Sequence, residues 1–240
     1  MGKLYVIGIG PGGQEYFTEK ALTAIKESNI IVGYTPYIEY LGDLAKDKEI
    51  YSTGMKSEIE RCEKAISLAR EGNIVSIVST GDAGLYGMAG PILERSEGVN
   101  VEVVPGVSAN FAAAAYLGAP IMHDFATISL SDLLTPWEVI VKRVKAARDG
   151  DFVICFYNPR SKGRKDHLEK MINLLLEKKA PKTPVGIVKD AGRKGTKVTL
   201  TTLDSIDYEE VDMLTTVIVG NSKTFTRGEL MITPRGYENK

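Results

Sequence analysis

The run V-I-G-I-G-P-G-G at residues 6–13 constrains the fold of this chain more than any other stretch. Residues 4–9 around its start form a short β-branched run of the kind that makes a buried strand. Beyond it, residues 16–28 carry Phe17, Ala21, Leu22 and Ile25 at the spacing of an amphipathic helix. A glycine-dense turn between a first strand and a first helix places the chain among α/β folds. Ligands in such folds sit beyond the carboxyl ends of parallel strands, where glycines let backbone approach them.

Gly8, Gly10 and Gly13 also satisfy the letters G-x-G-x-x-G of dinucleotide folds. Pro11 weakens that reading, because it removes a peptide N–H from the turn that would face a pyrophosphate. So does the second strand, residues 29–32, which runs into Gly33 and Tyr34 where an acidic ribose ligand is expected roughly 20 residues on. A loop for another small ligand is the better reading, with a purely structural tight turn as the plain alternative.

The chain's 240 residues suffice for one large or two small cores. A net charge of −1 argues against a nucleic-acid partner, which would ask for a basic face. No apolar run approaches the roughly 18 residues of a membrane span, and the amino terminus enters a strand without a signal peptide. A cytoplasmic protein without membrane contact is expected. Cys62 lies on the apolar stripe of a helix and Cys155 in an apolar strand, so both read as buried small hydrophobes. Two histidines far apart offer no ligand cluster, so no metal site is expected.

Further along, Ser57 and Glu60 predict a capping box opening a helix to about Arg70. Residues 74–79 and 101–104 read as strands. Each ends in small residues, S-T-G-D-A-G-L-Y-G at 79–87 and P-G-V-S-A at 105–109, before a helix. A parallel sheet would gather these turns and the first one at a single edge. After Pro120 the alternation becomes less regular. Strands are expected at 125–130, 151–157, 184–188, 197–202 and 214–219, with helices at 136–148 and around Leu168, Met171, Ile172 and Leu175. Residues 229–233 read as an edge strand. The reading is therefore α/β with two α/β domains: residues 1–122 with the glycine-rich turns, and residues 123–240 with a mixed sheet. A ligand cleft is expected between them.

Asp82, flanked by glycines, is a candidate ligand carboxylate, the plain alternative being a turn cap. Ser131 and Asp132 sit in S-L-S-D-L-L-T-P-W with the only tryptophan, Trp137. Arg160, Lys162 and Arg164 follow Tyr157 and Asn158 and suit carboxylates, or else make a solvated helix entry. His123 beside Asp124 invites an acid–base role, though a surface histidine is the simpler reading; His167, among charges, reads as exposed. No nucleophile–base pair is evident from spacing. An already activated group could be transferred mainly by positioning.

G-I-G-P-G-G at residues 8–13, S-T-G-D-A-G-L-Y-G-M at 79–88 and V-P-G-V-S-A at 104–109 together resemble the cobalamin-biosynthetic branch of the tetrapyrrole methyltransferases. S-L-S-D-L-L-T-P-W, F-Y-N-P-R-S-K-G-R at 156–164, T-T-V-I-V-G-N-S at 215–222 and I-T-P-R-G-Y at 232–237 resemble the members that act at C17. The resemblance implies S-adenosylmethionine as methyl donor, folded between two α/β domains, and a homodimer. It implies methylation at C17 of precorrin-3B or cobalt-factor III with contraction of the macrocycle. Methylation elsewhere on a corrin precursor, a nucleotide-dependent oxidoreductase and a non-catalytic tetrapyrrole carrier are the alternatives.

Donor contacts carry over to Pro11, Gly81, Asp82, Leu85, Ser108, Ala109, Asn158 and Gly192. The tetrapyrrole is expected at Gly10, Gly12, Tyr157, Arg160, Lys162 and Arg164, with Arg193 and Lys194 as further cations. Ring contraction moves protons, for which Asp132, Ser131 or His123 are the candidates. On this reading the glycines keep the donor cleft open rather than grip a pyrophosphate.

Overall fold

The opening run forms β1 (Lys3–Gly8), buried at every position after the first, as suits a strand covered on both faces. The computed structural model describes residues 2–237, and its contacts divide the chain into two units between Ala109 and Asn110.

In the first unit, α1 (Glu19–Glu27) begins at Thr18, whose hydroxyl accepts the Ala21 N–H at 3.1 Å. A short 3-10 turn, Gln14–Tyr16, takes the first residue of the expected helix. There follow β2 (Ile30–Tyr34), α2 (Thr35–Glu39), β3 (Glu49–Thr53), α3 (Glu58–Arg70), β4 (Ile74–Ser79), α4 (Ala89–Leu93) and β5 (Val101–Val104). The strands pair in the order β3-β2-β4-β1-β5, every pair parallel. One apolar cluster joins Leu4 and Val6 to Cys62, Ile66 and Ile92, and another joins Ile7 and Ile9 to Ala21 and Ile25. The capping box does not form, since Ser57 makes no side-chain cap hydrogen bond. The Glu60 carboxylate accepts from the Tyr51 hydroxyl at 2.7 Å and also engages the Ser57 side chain.

The second unit contains α5 (Ala109–Leu117), β6 (Gly118–Ala119), β7 (Phe125–Ser129), α6 (Trp137–Asp149), β8 (Val153–Tyr157) and α7 (His167–Leu176). It continues through β9 (Pro184–Lys189), β10 (Lys197–Thr202), β11 (Thr215–Val219), β12 (Phe225–Arg227) and β13 (Leu230–Ile232). Its main sheet has the order β10-β9-β11-β8-β7, with only β7–β8 parallel. Leu168, Met171, Ile172 and Leu175 of α7 join Ile140 and Val144 of α6 in its core.

The contact boundary falls earlier in the chain than the one placed between residues 122 and 123. The reason is α5. Leu117 is fully buried and lies where Gly186 of β9 lacks a side chain: a Cβ there would sit 2.3 Å from Leu117 Cδ1. β6 then pairs with β13. That pairing also corrects the expected edge strand, because β13 is the middle strand of the small sheet β12-β13-β6. Both cysteines are fully buried, and burial pushes the Cys155 thiol up to about 12, so neither is poised for chemistry.

Candidate functional site

Turns from the carboxyl ends of β1 and β4 bind each other through their backbones, and the turn after β5 packs against both. The Gly10 N–H donates to the Gly81 carbonyl at 3.1 Å, and the Gly81 N–H donates to the Gly10 carbonyl at 2.7 Å. A Cβ on Gly106 would lie 2.3 Å from the Gly81 oxygen and 2.5 Å from that of Gly8. Gly10 and Gly81 adopt φ of +76° and +70°, a region glycine enters at no steric cost. These glycines therefore bring turn onto turn, where the sequence suggested that they hold a cleft open. Gly10, Pro11 and Gly12 are buried in the packing that results.

Asp82 braces the second turn against the third. Its Oδ1 accepts the Gly84 N–H at 2.8 Å and its Oδ2 the Gly106 N–H at 2.9 Å. The turn-cap reading of Asp82 is therefore realised. A carboxylate has about four acceptor positions, so the same group can still receive a ligand donor. Ser108 is buried at the entry to α5, with Ala109 and Leu85 half-buried. A Cβ on Gly81 would meet nothing nearer than the Ala109 nitrogen at 3.7 Å. The backbone of Ser108 and Ala109 thus stands at ordinary van der Waals distance from Gly81.

In the second unit, Ser129 of β7 pairs with Tyr157 of β8. β8 and β9 are both antiparallel to β11, hence parallel to each other. The carboxyl ends of β7, β8 and β9 thus share one edge, which collects Ser131, Asp132, Tyr157, Asn158, Arg160, Lys162, Arg164 and Gly192. The Tyr157 hydroxyl accepts the Asn110 N–H at 2.8 Å and donates to Asn110 Oδ1 at 3.1 Å. Asn158 takes a left-handed φ of +51° and donates from Nδ2 to Ser129 Oγ at 2.8 Å. Gly192, with φ of +73°, sits in a turn closed by the Arg193 N–H on the Asp190 carbonyl at 2.9 Å.

The basic loop is less open than its composition suggests. Arg160 donates to the Tyr208 carbonyl at 2.8 Å and pairs with Glu209 at 2.5 Å. Arg164 Nη1 donates to Ser131 Oγ at 2.5 Å and faces Asp132 Oδ1 at 3.9 Å, while its Nη2 reaches Met213 Sδ at 3.4 Å. Lys162 is exposed.

His123 does not belong to this edge. It precedes β7 at the strand's amino end, where the Val153 N–H bonds the Asp124 carbonyl. The 5 residues of β7 separate it from Ser131 by about 17 Å. It is an exposed histidine whose Nδ1 accepts the Asp124 N–H at 2.8 Å. His167, by contrast, is not the exposed residue its sequence context suggests. Its side chain is only 12% exposed, with Nδ1 3.1 Å from the Leu130 carbonyl and Nε2 3.7 Å from Asp132 Oδ2. Its ring lies against Trp137, with centroids 4.4 Å apart. The available sequence signal was the motif holding both Asp132 and Trp137, but nothing in its spacing pointed to a partner on α7.

Among the described residues, no helix is long and apolar enough to cross a membrane. No group of three or more His, Cys, Asp or Glu side chains among them could hold a metal ion.

The family model of Tetrapyrrole (Corrin/Porphyrin) Methylases matches residues 3–207. A probable cobalt-factor III C(17)-methyltransferase of Salmonella typhimurium is 54% identical over 98% of this chain and 99% of its own length. The cobalt-factor III methyltransferase of Priestia megaterium is 49% identical over 100% of this chain, which spans 46% of that longer protein. A precorrin-3B C(17)-methyltransferase of a Sinorhizobium species is 37% identical over 98% of this chain and 97% of its own. The crystal structure of the methyltransferase CobJ matches with a TM-score of 0.93 at 34% identity, covering 98% of this chain and 100% of that one.

Proposed function

The chain belongs to the tetrapyrrole (corrin/porphyrin) methylases, and from that premise we propose that it transfers a methyl group from S-adenosylmethionine to C17 of cobalt-factor III, with contraction of the macrocycle. The observation that carries this reading is the nearly end-to-end match, at 54% identity, to a probable cobalt-factor III C(17)-methyltransferase. Identity to the Sinorhizobium precorrin-3B enzyme is 37%, which favours cobalt-factor III over precorrin-3B as substrate. A homodimer in the cytoplasm is part of the same reading.

A sulfonium methyl is an activated electrophile, so the protein's main task is to align it with a nucleophilic ring carbon. Pro11, Gly81, Asp82, Leu85, Ser108 and Ala109 are the proposed donor residues of the first unit. The remaining acceptor positions of Asp82 fit a nucleoside bearing hydroxyl and amino groups. Asn158 and Gly192 are the proposed donor contacts of the second unit. Gly10 and Gly12 from the first unit, with Tyr157, Arg160, Lys162 and Arg164 from the second, are proposed for the tetrapyrrole. Its carboxylates suit the cations, Lys162 being the most open to solvent.

Incubation with cobalt-factor III and, separately, with precorrin-3B, each with S-adenosylmethionine, tests the reading. Mass spectrometry should show one added methyl group with cobalt-factor III. Addition only to precorrin-3B reverses the choice of substrate, and addition to neither overturns the assignment.

A further inference from the structure

Ser131, Asp132, Arg164, His167 and Trp137 converge at one edge of the second unit, and the proposed reaction supplies work for them. Transfer of a methyl from a sulfonium breaks the C–S bond with its electron pair left on sulfur. The donor loses its positive charge and the substrate gains it. Charge is conserved in that step, and release of one proton from the methylated tetrapyrrole is what returns the macrocycle to its original charge. That proton needs an acceptor.

The Leu130 carbonyl can only accept, so the Nδ1 of His167, 3.1 Å away, must carry a proton and donate it. The ring nitrogen left free is therefore Nε2, the atom that faces Asp132 Oδ2 at 3.7 Å. Contact with Trp137 at 4.4 Å fixes the ring plane. The other oxygen of Asp132 faces Arg164 Nη1, which Ser131 Oγ holds from the side at 2.5 Å. Of the histidine and the carboxylate, Asp132 is the more exposed, at 38% of its side chain against 12%. Asp166, next to His167 in the chain, is paired with Lys170 at 2.5 Å. The Nε2–Oδ2 distance exceeds a direct hydrogen bond, a looseness common where catalytic contacts tighten on binding substrate.

We infer that Asp132 and His167 form the proton-accepting pair of this enzyme, with His167 as the positioning residue. Asp132 takes a proton from the methylated substrate, whose atom keeps the electron pair, and passes it to His167 Nε2. This rests on the methyl-transfer reading above, but half of its test does not. Trp137 is the only tryptophan and His167 one of two histidines, and a protonated imidazole against an indole quenches its fluorescence.

Without substrate, the intrinsic fluorescence of the full chain should rise with pH as the imidazole against the indole loses its proton. His123→Gln should keep that transition and His167→Gln should lose it. Absence of the transition in the wild type, or its survival in His167→Gln, overturns the pair whatever the activity. In the methyl-transfer assay, His167→Gln should lower kcat about 100-fold with little change in KM and erase the acid limb of the pH–kcat profile. Asp132→Asn, at an exposed position, should do the same and serves if His167→Gln does not fold. A wild type that methylates, together with variants of unchanged kcat and pH profile, overturns the inference alone. A wild type that methylates neither substrate overturns the proposed function and this inference with it.

Discussion

A methyl group added at Gly106 would meet the carbonyl oxygens of Gly81 and Gly8 at 2.3 and 2.5 Å, backbone atoms that cannot swing aside. Gly106→Ala should therefore cost about 1–3 kcal/mol, the range for overpacking a tight site. Gly90 in α4 has no heavy atom within 4 Å of an added Cβ. Gly90→Ala should stabilise by up to about 1 kcal/mol through helix propensity. Urea unfolding of the two variants beside the wild type checks both signs, and a Gly106→Ala protein as stable as wild type would show that the turns do not pack as described. The residue scale is also where sequence reading reached its limit. Small residues at 8, 10, 81 and 106 announced a close approach of backbone to something, but the letters do not say whether that something is a ligand or another turn. Asp82 was legible as important, while its partners Gly84 and Gly106 became visible only in three dimensions. His167 was passed over because its neighbours in the chain are charged, whereas its neighbours in space are Leu130, Asp132 and Trp137.

Elements with a clear period were legible almost to the residue. The stretches at 74–79, 101–104 and 197–202 are β4, β5 and β10, and the four residues read as the inner face of a helix are the buried face of α7. α5 was different. Its sequence A-N-F-A-A-A-A-Y-L has apolar residues on every side, so it has no face to say which sheet it joins, and a boundary based on pattern fell beyond it. Asn110 ties its start to Tyr157, and Leu117 against Gly186 fixes its end in the second unit. Leu117→Ala should cost about 2–5 kcal/mol as a buried cavity, and Gly186→Ala about 1–3 kcal/mol by overpacking. The double variant should lose less than the two losses added, because the new methyl enters the space that Leu117 leaves. A double-mutant cycle by chemical denaturation measures this. Strict additivity would mean that Leu117 and Gly186 do not share the space described.

Across the whole molecule, 30 basic and 31 acidic side chains nearly balance at neutral pH, so stability in acid depends on which carboxylates the fold has engaged. Each unit has one engaged strongly. In the first, hydrogen bonds from Lys20 and then Lys3, both at 2.7 Å, draw Glu102 from 4.5 down to about 2. In the second, the Thr202 hydroxyl and then Lys182 draw Asp204 from 3.8 down to about 2. A carboxyl that holds its proton less tightly when folded binds more protons in the unfolded chain as pH falls. Its stabilising effect is therefore complete above the unfolded value and is lost between about pH 4.5 and about 2. Melting temperature should fall across that window, and the fall should be shallower in Glu102→Gln combined with Asp204→Asn. Both groups are partly exposed, so salt enters the argument. Near 1 M salt the Debye length shrinks to about 3 Å, which weakens the two lysine contacts of Glu102 more than the hydroxyl contact of Asp204. The acid slope of Asp204→Asn, which retains Glu102, should therefore flatten with salt more than that of Glu102→Gln. Melts at low and high salt over this pH range test the order, and equal flattening would mean that direct hydrogen bonding rather than charge holds both carboxylates.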